Sequence, residues 1–211
     1  MRLRCYSALS VLLLAAALLS ACTTAQPVVM DQPGRERLYE SKSDQLDGYS
    51  DWSLVGRLAV SNSADGGSGH FSWKNIDADS QMDFHGALGR GAWRLLANAQ
   101  GAELKLADGT VHKADSIDQL VHLQVGWEIP VDSLSWWVRG MAAPGDYEER
   151  QIDAEGNLSE LLQGGWAIEY GRYRSFEGMS LPVKLTARQA DWKVKLAIRD
   201  WKLGTEMISN D

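Results

Sequence analysis

Trp52-Ser53-Leu54-Val55-Gly56-Arg57-Leu58-Ala59-Val60-Ser61 is the stretch on which the fold turns. Trp52, Leu54, Gly56, Leu58 and Val60 alternate with Ser53, Val55, Arg57, Ala59 and Ser61. A period of two sends successive side chains to opposite faces, so this is a half-buried strand. The same alternation recurs downstream. Ala64-Asp65-Gly66-Gly67-Ser68-Gly69 reads as a turn, and residues 70–75 as the partner strand, with Phe71 and Trp73 on one face. Residues 81–86 and 92–99 are two more strands, joined by Gly86-Ala87-Leu88-Gly89-Arg90-Gly91. Residues 103–106 and 110–113 make a hairpin about Ala107-Asp108-Gly109. Further strands are expected at 147–153 and 158–162, flanking Ala154-Glu155-Gly156-Asn157, and at 166–170, 181–187 and 192–203.

Helical patterns interrupt the strands. Residues 35–47 have high helix propensity, with Leu38 and Leu46 on a sparse apolar face. Asp115 or Ser116 can cap a second helix carrying Ile117, Leu120, Val121 and Leu123. Gly126-Trp127-Glu128-Ile129-Pro130 ends it and starts a third, with Val131, Leu134, Trp137 and Val138 on one stripe and Gly140 as its stop. Ten or eleven meandering strands with amphipathic helices between them predict a mainly β fold, a strongly curved antiparallel sheet or barrel.

The N-terminus reads differently. Met1-Arg2-Leu3-Arg4 is basic, and residues 8–19 are an almost unbroken apolar run, too short to span a bilayer as a helix. Leu19-Ser20-Ala21-Cys22 follows, which resembles the lipobox of bacterial lipoprotein precursors. Residues 1–21 are therefore expected to be a signal peptide, and Cys22 the lipidated first residue of the mature chain. The other reading is an ordinary signal peptide with a chance cysteine. Cys5 leaves with the leader, so Cys22 alone remains and no intramolecular disulfide can form. Residues 22–34, with Pro27 and Pro33 and no apolar period, read as a tether. Extended, the 12 residues 23–34 could hold the domain up to about 40 Å from its lipid. Residues 35–211 read as a single domain. The 211-residue chain less its 21-residue leader leaves 190 residues, enough for one sizeable core. Losing Arg2 and Arg4 takes the formal net charge from −7 to −9, which argues against nucleic acid and against binding anionic lipid by charge alone.

Motifs for chemistry are missing. His70, His85, His112 and His122 show no metal-ligand spacing, so no metal site is expected. No nucleophile elbow or P-loop occurs, and the glycines at 86, 89 and 91 lie between strands, so they are no dinucleotide fingerprint. Neither a catalytic residue nor a cofactor is expected. Tryptophan is the unusual residue: there are nine, all after Cys22. Most fall on expected inward faces. Two readings stand, a well-packed core or a partly filled barrel whose rigid rings line a cavity for an apolar ligand.

Gly56-Arg57-Leu58-Ala59, Phe71-x-Trp73, Ala87-Leu88-Gly89, Gly126-Trp127-Glu128-Ile129-Pro130-Val131, Trp137-Val138-x-Gly140, Gly165-Trp166-x-x-x-Tyr170, Leu181-Pro182 and Ile198-x-x-Trp201-x-Leu203 occur in that order. This series resembles the LolB family, outer-membrane lipoprotein receptors of the Lol sorting pathway. The resemblance implies an unclosed antiparallel β-barrel, lidded by helices, whose hydrophobic cavity receives acyl chains. It implies a monomer on the periplasmic face of the outer membrane, with a LolA-like periplasmic carrier, acylated lipoprotein cargo and outer-membrane lipid as partners. Leu88 matches an exposed apolar residue on a membrane-inserting loop, and Trp73, Trp137, Trp166 and Trp201 match tryptophans associated with the cavity. Ala87 departs from the family, where proline commonly precedes that leucine. Residue 23 is Thr and not Asp, which in the family's sorting rule implies export to the outer membrane. The competing reading is a lipocalin-like lipoprotein for free fatty acids. The apolar Leu88 tip favours the first, because a closed small-ligand barrel has no need of one.

Overall fold

The computed structural model describes residues 32–77, 79–86, 91–125 and 129–204. The stretch quoted first is strand β1 (Trp52–Ser61), and it lies at the centre of one eleven-stranded sheet. On one side β1 pairs with β2 (Gly66–Ile76), and the sheet runs on through β3 (Asp79–Gly86), β4 (Trp93–Asn98) and β5 (Gly101–Leu106) to the edge strand β6 (Val111–Ala114). On the other side it pairs with β11 (Trp192–Leu203). From there the order is β10 (Met179–Gln189), β9 (Trp166–Phe176), β8 (Leu158–Gln163) and the second edge, β7 (Glu149–Ile152). Every pairing is antiparallel. The two edges do not pair with each other, so the sheet is a barrel left unclosed, as expected. Among the described strands the two meanders pair where β1 meets β11, Trp52 opposite Leu203 and Ser61 opposite Lys193.

Among the described residues three helices accompany the sheet: α1 (Gln32–Asp47), α2 (Ile117–Leu120), which continues as a wider turn over Val121–Val125, and α3 (Val131–Trp137). The alternation read in β1 becomes an inner face of Leu54, Leu58 and Val60, continued by Phe71, Trp73, Leu95, Leu104, Leu185, Val194 and Leu196, all buried. A bulge between Val55 and Gly56 breaks the β1–β11 register. A methyl at Gly56 would stand 2.3 Å from the Ala197 carbonyl oxygen, so the close approach of these strands requires glycine.

Two expectations need correction. The run from Gly66 to Gly69, read as turn, belongs to β2 and pairs with residues 58–61. The turn is shorter: the Asn62 side chain accepts from the Ala64 and Asp65 amides at 2.9 and 2.7 Å, and Asp65 accepts from Gly66 at 2.7 Å. Ladder pairing has overridden glycine's preference for turns. In α1, Leu46 is buried as expected but Leu38 is 36% exposed, and Tyr39 takes its place inside. Residues 39 and 46 are seven apart and fall on one stripe, whereas 38 lies to its side. The helix begins at Gln32, so residues 32–34 form its first turn instead of the end of a linker. Pro33 suits that turn, where an amide has no intrahelical partner anyway. α1 docks on the β7–β8 hairpin. Arg150 pairs with Glu36, and the Lys42 ammonium donates to Asn157 Oδ1 at 2.8 Å and to the Glu155 carbonyl at 2.5 Å.

Candidate functional site

The apolar stripe of α3 gives the sheet its lid. Ser116 caps α2 by accepting from the Gln119 amide at 3.2 Å. Leu120 and Val121 then turn inward, while Leu123 is 61% exposed and lies outside the expected stripe. Pro130, at the start of α3, has no capping side chain of its own. Asp118 supplies it from α2, accepting from the Val131 amide at 2.8 Å. Burial pushes the Asp118 carboxyl above its ordinary value; the Val131 amide opposes that and neighbouring Asp132 adds to it. After α3, Gly140 takes φ +83°, a left-handed stop that a side chain would strain.

Between lid and sheet lies a closed apolar pocket of about 30 Å³, bounded by Leu58, Phe71, Trp73, Leu95 and Leu104 below and by Val121, Ile129, Val131 and Leu134 above. Its lining is wholly apolar and its room is that of about two waters, so it is dry and nearly filled. Above it the half-barrel opens into a mouth of about 810 Å³. Val60 and Trp93 border both spaces. Trp93 stacks on Phe84 at 5.5 Å and meets Phe71 edge-on at 6.5 Å. Gly86 and Gly91, the described ends of the β3–β4 connection, stand at this mouth with Leu106, Gln124 and Trp192. On the opposite flank of the lid a crevice of about 540 Å³ is lined by Ile129, Pro130, Trp137, Pro144, Gln163 and Trp166, among others.

The lid is fastened unequally. On the flank of β8 and β9, Tyr170 donates to the Trp137 carbonyl at 3.0 Å, and Trp137 Nε1 donates to Gln163 Oε1 at 2.9 Å. Gln163 is fully engaged, accepting also from the Ala143 amide at 2.9 Å and donating to its carbonyl at 2.8 Å. Tyr39 of α1 accepts from the Ala142 amide at 2.9 Å. Arg139 lies buried between Trp52 and Trp136, 5.5 and 4.8 Å from their ring centres, and donates to the Ser135 carbonyl at 3.1 Å. Burial brings its guanidinium down to about 10, against the pull of Asp47. Toward β2–β5, by contrast, the residues bounding the closed pocket are all apolar.

The four expected cavity tryptophans do not share one space. Trp73 lines the closed pocket, its Nε1 donating to Ser80 at 2.8 Å. Trp137 and Trp166 lie 6.2 Å apart on the other crevice. Trp201 lines none of these spaces; it packs on Trp52 at 5.9 Å and donates to the Pro182 carbonyl at 2.8 Å. Trp93 and Trp192, at the mouth, were not singled out from the sequence, although Trp93 falls on the inner parity of its strand with Leu95. Cys22 and Leu88 lie outside the described residues. Among the described residues no helix is long and apolar enough to cross a membrane.

Comparison with known proteins places this geometry. The family described as "Outer membrane lipoprotein LolB" matches residues 50–201. The chain is similar to the outer-membrane lipoprotein LolB of Pseudomonas paraeruginosa, 34% identical over 203 residues, covering 96% of this chain and 97% of that one. It is also similar to that of Stutzerimonas stutzeri, 31% identical over 188 residues, covering 89% and 91%. Among solved structures, a putative outer membrane lipoprotein-sorting protein domain from Vibrio parahaemolyticus has the same fold, with TM-score 0.53, 10% identity and coverage of 83% and 94%. So does a LolA superfamily protein from Nitrosomonas europaea, with TM-score 0.50, 9% identity and coverage of 81% and 93%.

Proposed function

The chain belongs to the LolB family of outer-membrane lipoproteins, and on that premise we propose that it receives lipoproteins from a soluble periplasmic carrier and releases them into the inner leaflet of the outer membrane. One observation carries the reading: a small apolar space under a helical lid adjoins, through Val60 and Trp93, a wide mouth at the rim where β3 and β4 give rise to the connection containing Leu88. Each methylene withdrawn from water contributes about 0.8 kcal/mol, so acyl chains need a covered route between membranes. The mouth offers entry, and displacement of the lid enlarges the filled interior. Transfer then needs only successively more favourable sites, so the role is non-enzymatic and uses no cofactor.

In this reading residues 1–21 are the leader and Cys22 carries the lipid. The chain before α1 is the tether, and the rest is one lipid-binding domain that works as a monomer. Trp73 lines the apolar pocket, Trp137 and Trp166 the crevice on the other side of the lid, Trp201 supports the sheet behind them, and Leu88 is the tip that enters the bilayer. A free fatty-acid carrier fits less well, since such a role gives no use to a membrane-entering tip. The test mixes the purified protein with carrier loaded with an acylated lipoprotein, then with liposomes. Cargo should pass first to this protein and then to lipid; cargo that stays on the carrier would refute the reading. Mass spectrometry of the membrane-extracted protein should show an acylated Cys22.

A further inference from the structure

The net negative charge of this chain conceals a segregation that appears only once the strands are paired. Lys184, Ala197, Arg57, His70 and His85 lie in one row across the outer faces of β10, β11, β1, β2 and β3. The next outward-facing row runs Thr186, Lys195, Ala59 and Ser68, and the one after it Arg188, Lys193, Ser61 and Gly66. Across β10, β11, β1 and β2 no acid stands in these rows; the first beyond them is Glu169 of β9, opposite Thr186 and paired with Arg188 at 2.7 Å. The crowding is felt: Lys195 and then Arg188 lower the Lys193 ammonium from its ordinary value, against the opposing pull of Glu169. Acids concentrate elsewhere, on α1 (Glu36, Glu40, Asp44, Asp47) and around β7 and β8 (Glu148, Glu149, Asp153, Glu155, Glu160).

Where the Val55/Gly56 bulge disturbs the sheet, this basic face sinks into a groove of about 580 Å³. Arg57, His70, His85, Arg94 and Arg199 line it. Its one acid, Asp83, is 5% exposed and already engaged, by Arg94 at 2.5 Å and Gln81 at 2.7 Å. Arg57 and Arg199 are exposed and have no ion-pair partner among the described residues. Guanidinium forks converging on a concave surface suit a phosphate group, which they can grip with two bonds each. The residues between the cations are Ala, Ser, Gly and Thr, and none of the exposed large apolar side chains falls in the three rows. Protein partners are usually held by buried aromatic or aliphatic anchors, which this face lacks. Beyond the groove Lys184, Lys195 and Lys193 extend the basic face along β10 and β11, so the matching surface presents more than one phosphate.

We propose that this groove, with the basic rows around it, seats the headgroup of an anionic phospholipid in the membrane to which the protein is tethered, Arg57 and Arg199 holding the phosphate. The proposal rests on the outer-membrane location and not on the cavity or on transfer. Wild-type lipoprotein in nanodiscs tests it. Modification of individual arginines by phenylglyoxal is followed by peptide mass spectrometry, in discs of phosphatidylcholine alone and in discs containing phosphatidylglycerol. Arg57 and Arg199 should react several-fold more slowly with phosphatidylglycerol present, while Arg37, exposed on α1, keeps its rate. Equal rates at Arg57 and Arg199 in both discs would overturn the proposal. So would an equal slowing of Arg37, which would mark general screening. Millimolar inorganic phosphate in phosphatidylcholine discs is the third arm; protection there as strong as that by phosphatidylglycerol would give the groove to a soluble phosphate and overturn the lipid as occupant.

Discussion

Tyr170 shows how one side chain can govern the lid. Its hydroxyl leaves β9 to hold the Trp137 carbonyl at the end of α3, and burial raises the phenol well above its ordinary value. Tyr170→Phe keeps the ring and removes the bond, which should cost about 1 kcal/mol in chemical denaturation. The same variant should take up an apolar fluorescent probe faster than wild type; unchanged uptake would mean that this bond does not restrain the lid. Leu88 makes a different prediction. In the role proposed above, Leu88 meets lipid, and burying a leucine there recovers roughly 1.5–3 kcal/mol, enough for brief insertion of a domain already anchored nearby. Leu88→Glu should therefore stay folded and accept cargo yet fail to deliver it to liposomes, and equal delivery would remove Leu88 from the mechanism. Of the residues lining the described spaces, Trp73 and Trp137 were legible because strand parity and helix stripe both point them inward. Trp93 and Trp192 were not, because parity gives a face and says nothing of position along the barrel.

At the scale of elements, the α2–α3 pair depends on a cap borrowed across a loop. An acid with a raised pKa favours the folded state when protonated. That stability is fully present below the ordinary carboxylate value of 3.8 and is lost as pH rises through the raised value of Asp118. Asp118→Asn keeps an acceptor for Val131 and removes the titration. Its stability relative to wild type should therefore grow as pH climbs above 3.8 through that window and then level off, as read by thermal unfolding across pH. Asp118→Ala loses the cap and should cost about 1 kcal/mol at neutral pH. The strands themselves were largely legible, since a period of two survives in every one that buries a single face. Their ends were less so: β9 runs on to Phe176, well past the expected residue 170, because pairing with β10 sustains it where its own polar sequence does not. The face of α1 was misjudged because a sparse pattern leaves Leu38 and Tyr39 as rivals, and only the hairpin beneath decides between them.

For the whole molecule, alternation along the chain foretold a β-rich fold, but not that its charge would be sorted by face, since sorting depends on which strands become neighbours. Nor could local pattern reveal that the first and last strands of the sheet meet at its centre. Trp52 and Leu203 are partners in space and 151 residues apart in sequence (203 less 52). Deleting β11 should expose the flanks of β1 and β10 together and leave a protease-sensitive chain prone to association; a stable, protease-resistant core in that truncation would contradict this. The placement also sets an order in time. Pairings of such long separation form slowly, because the intervening chain must first be gathered. With the leader proposed above, passage from the N-terminus would deliver β1 early and its partner last. Until β11 is available the two meanders lack their common seam, so the sheet as a whole is completed by its last strand.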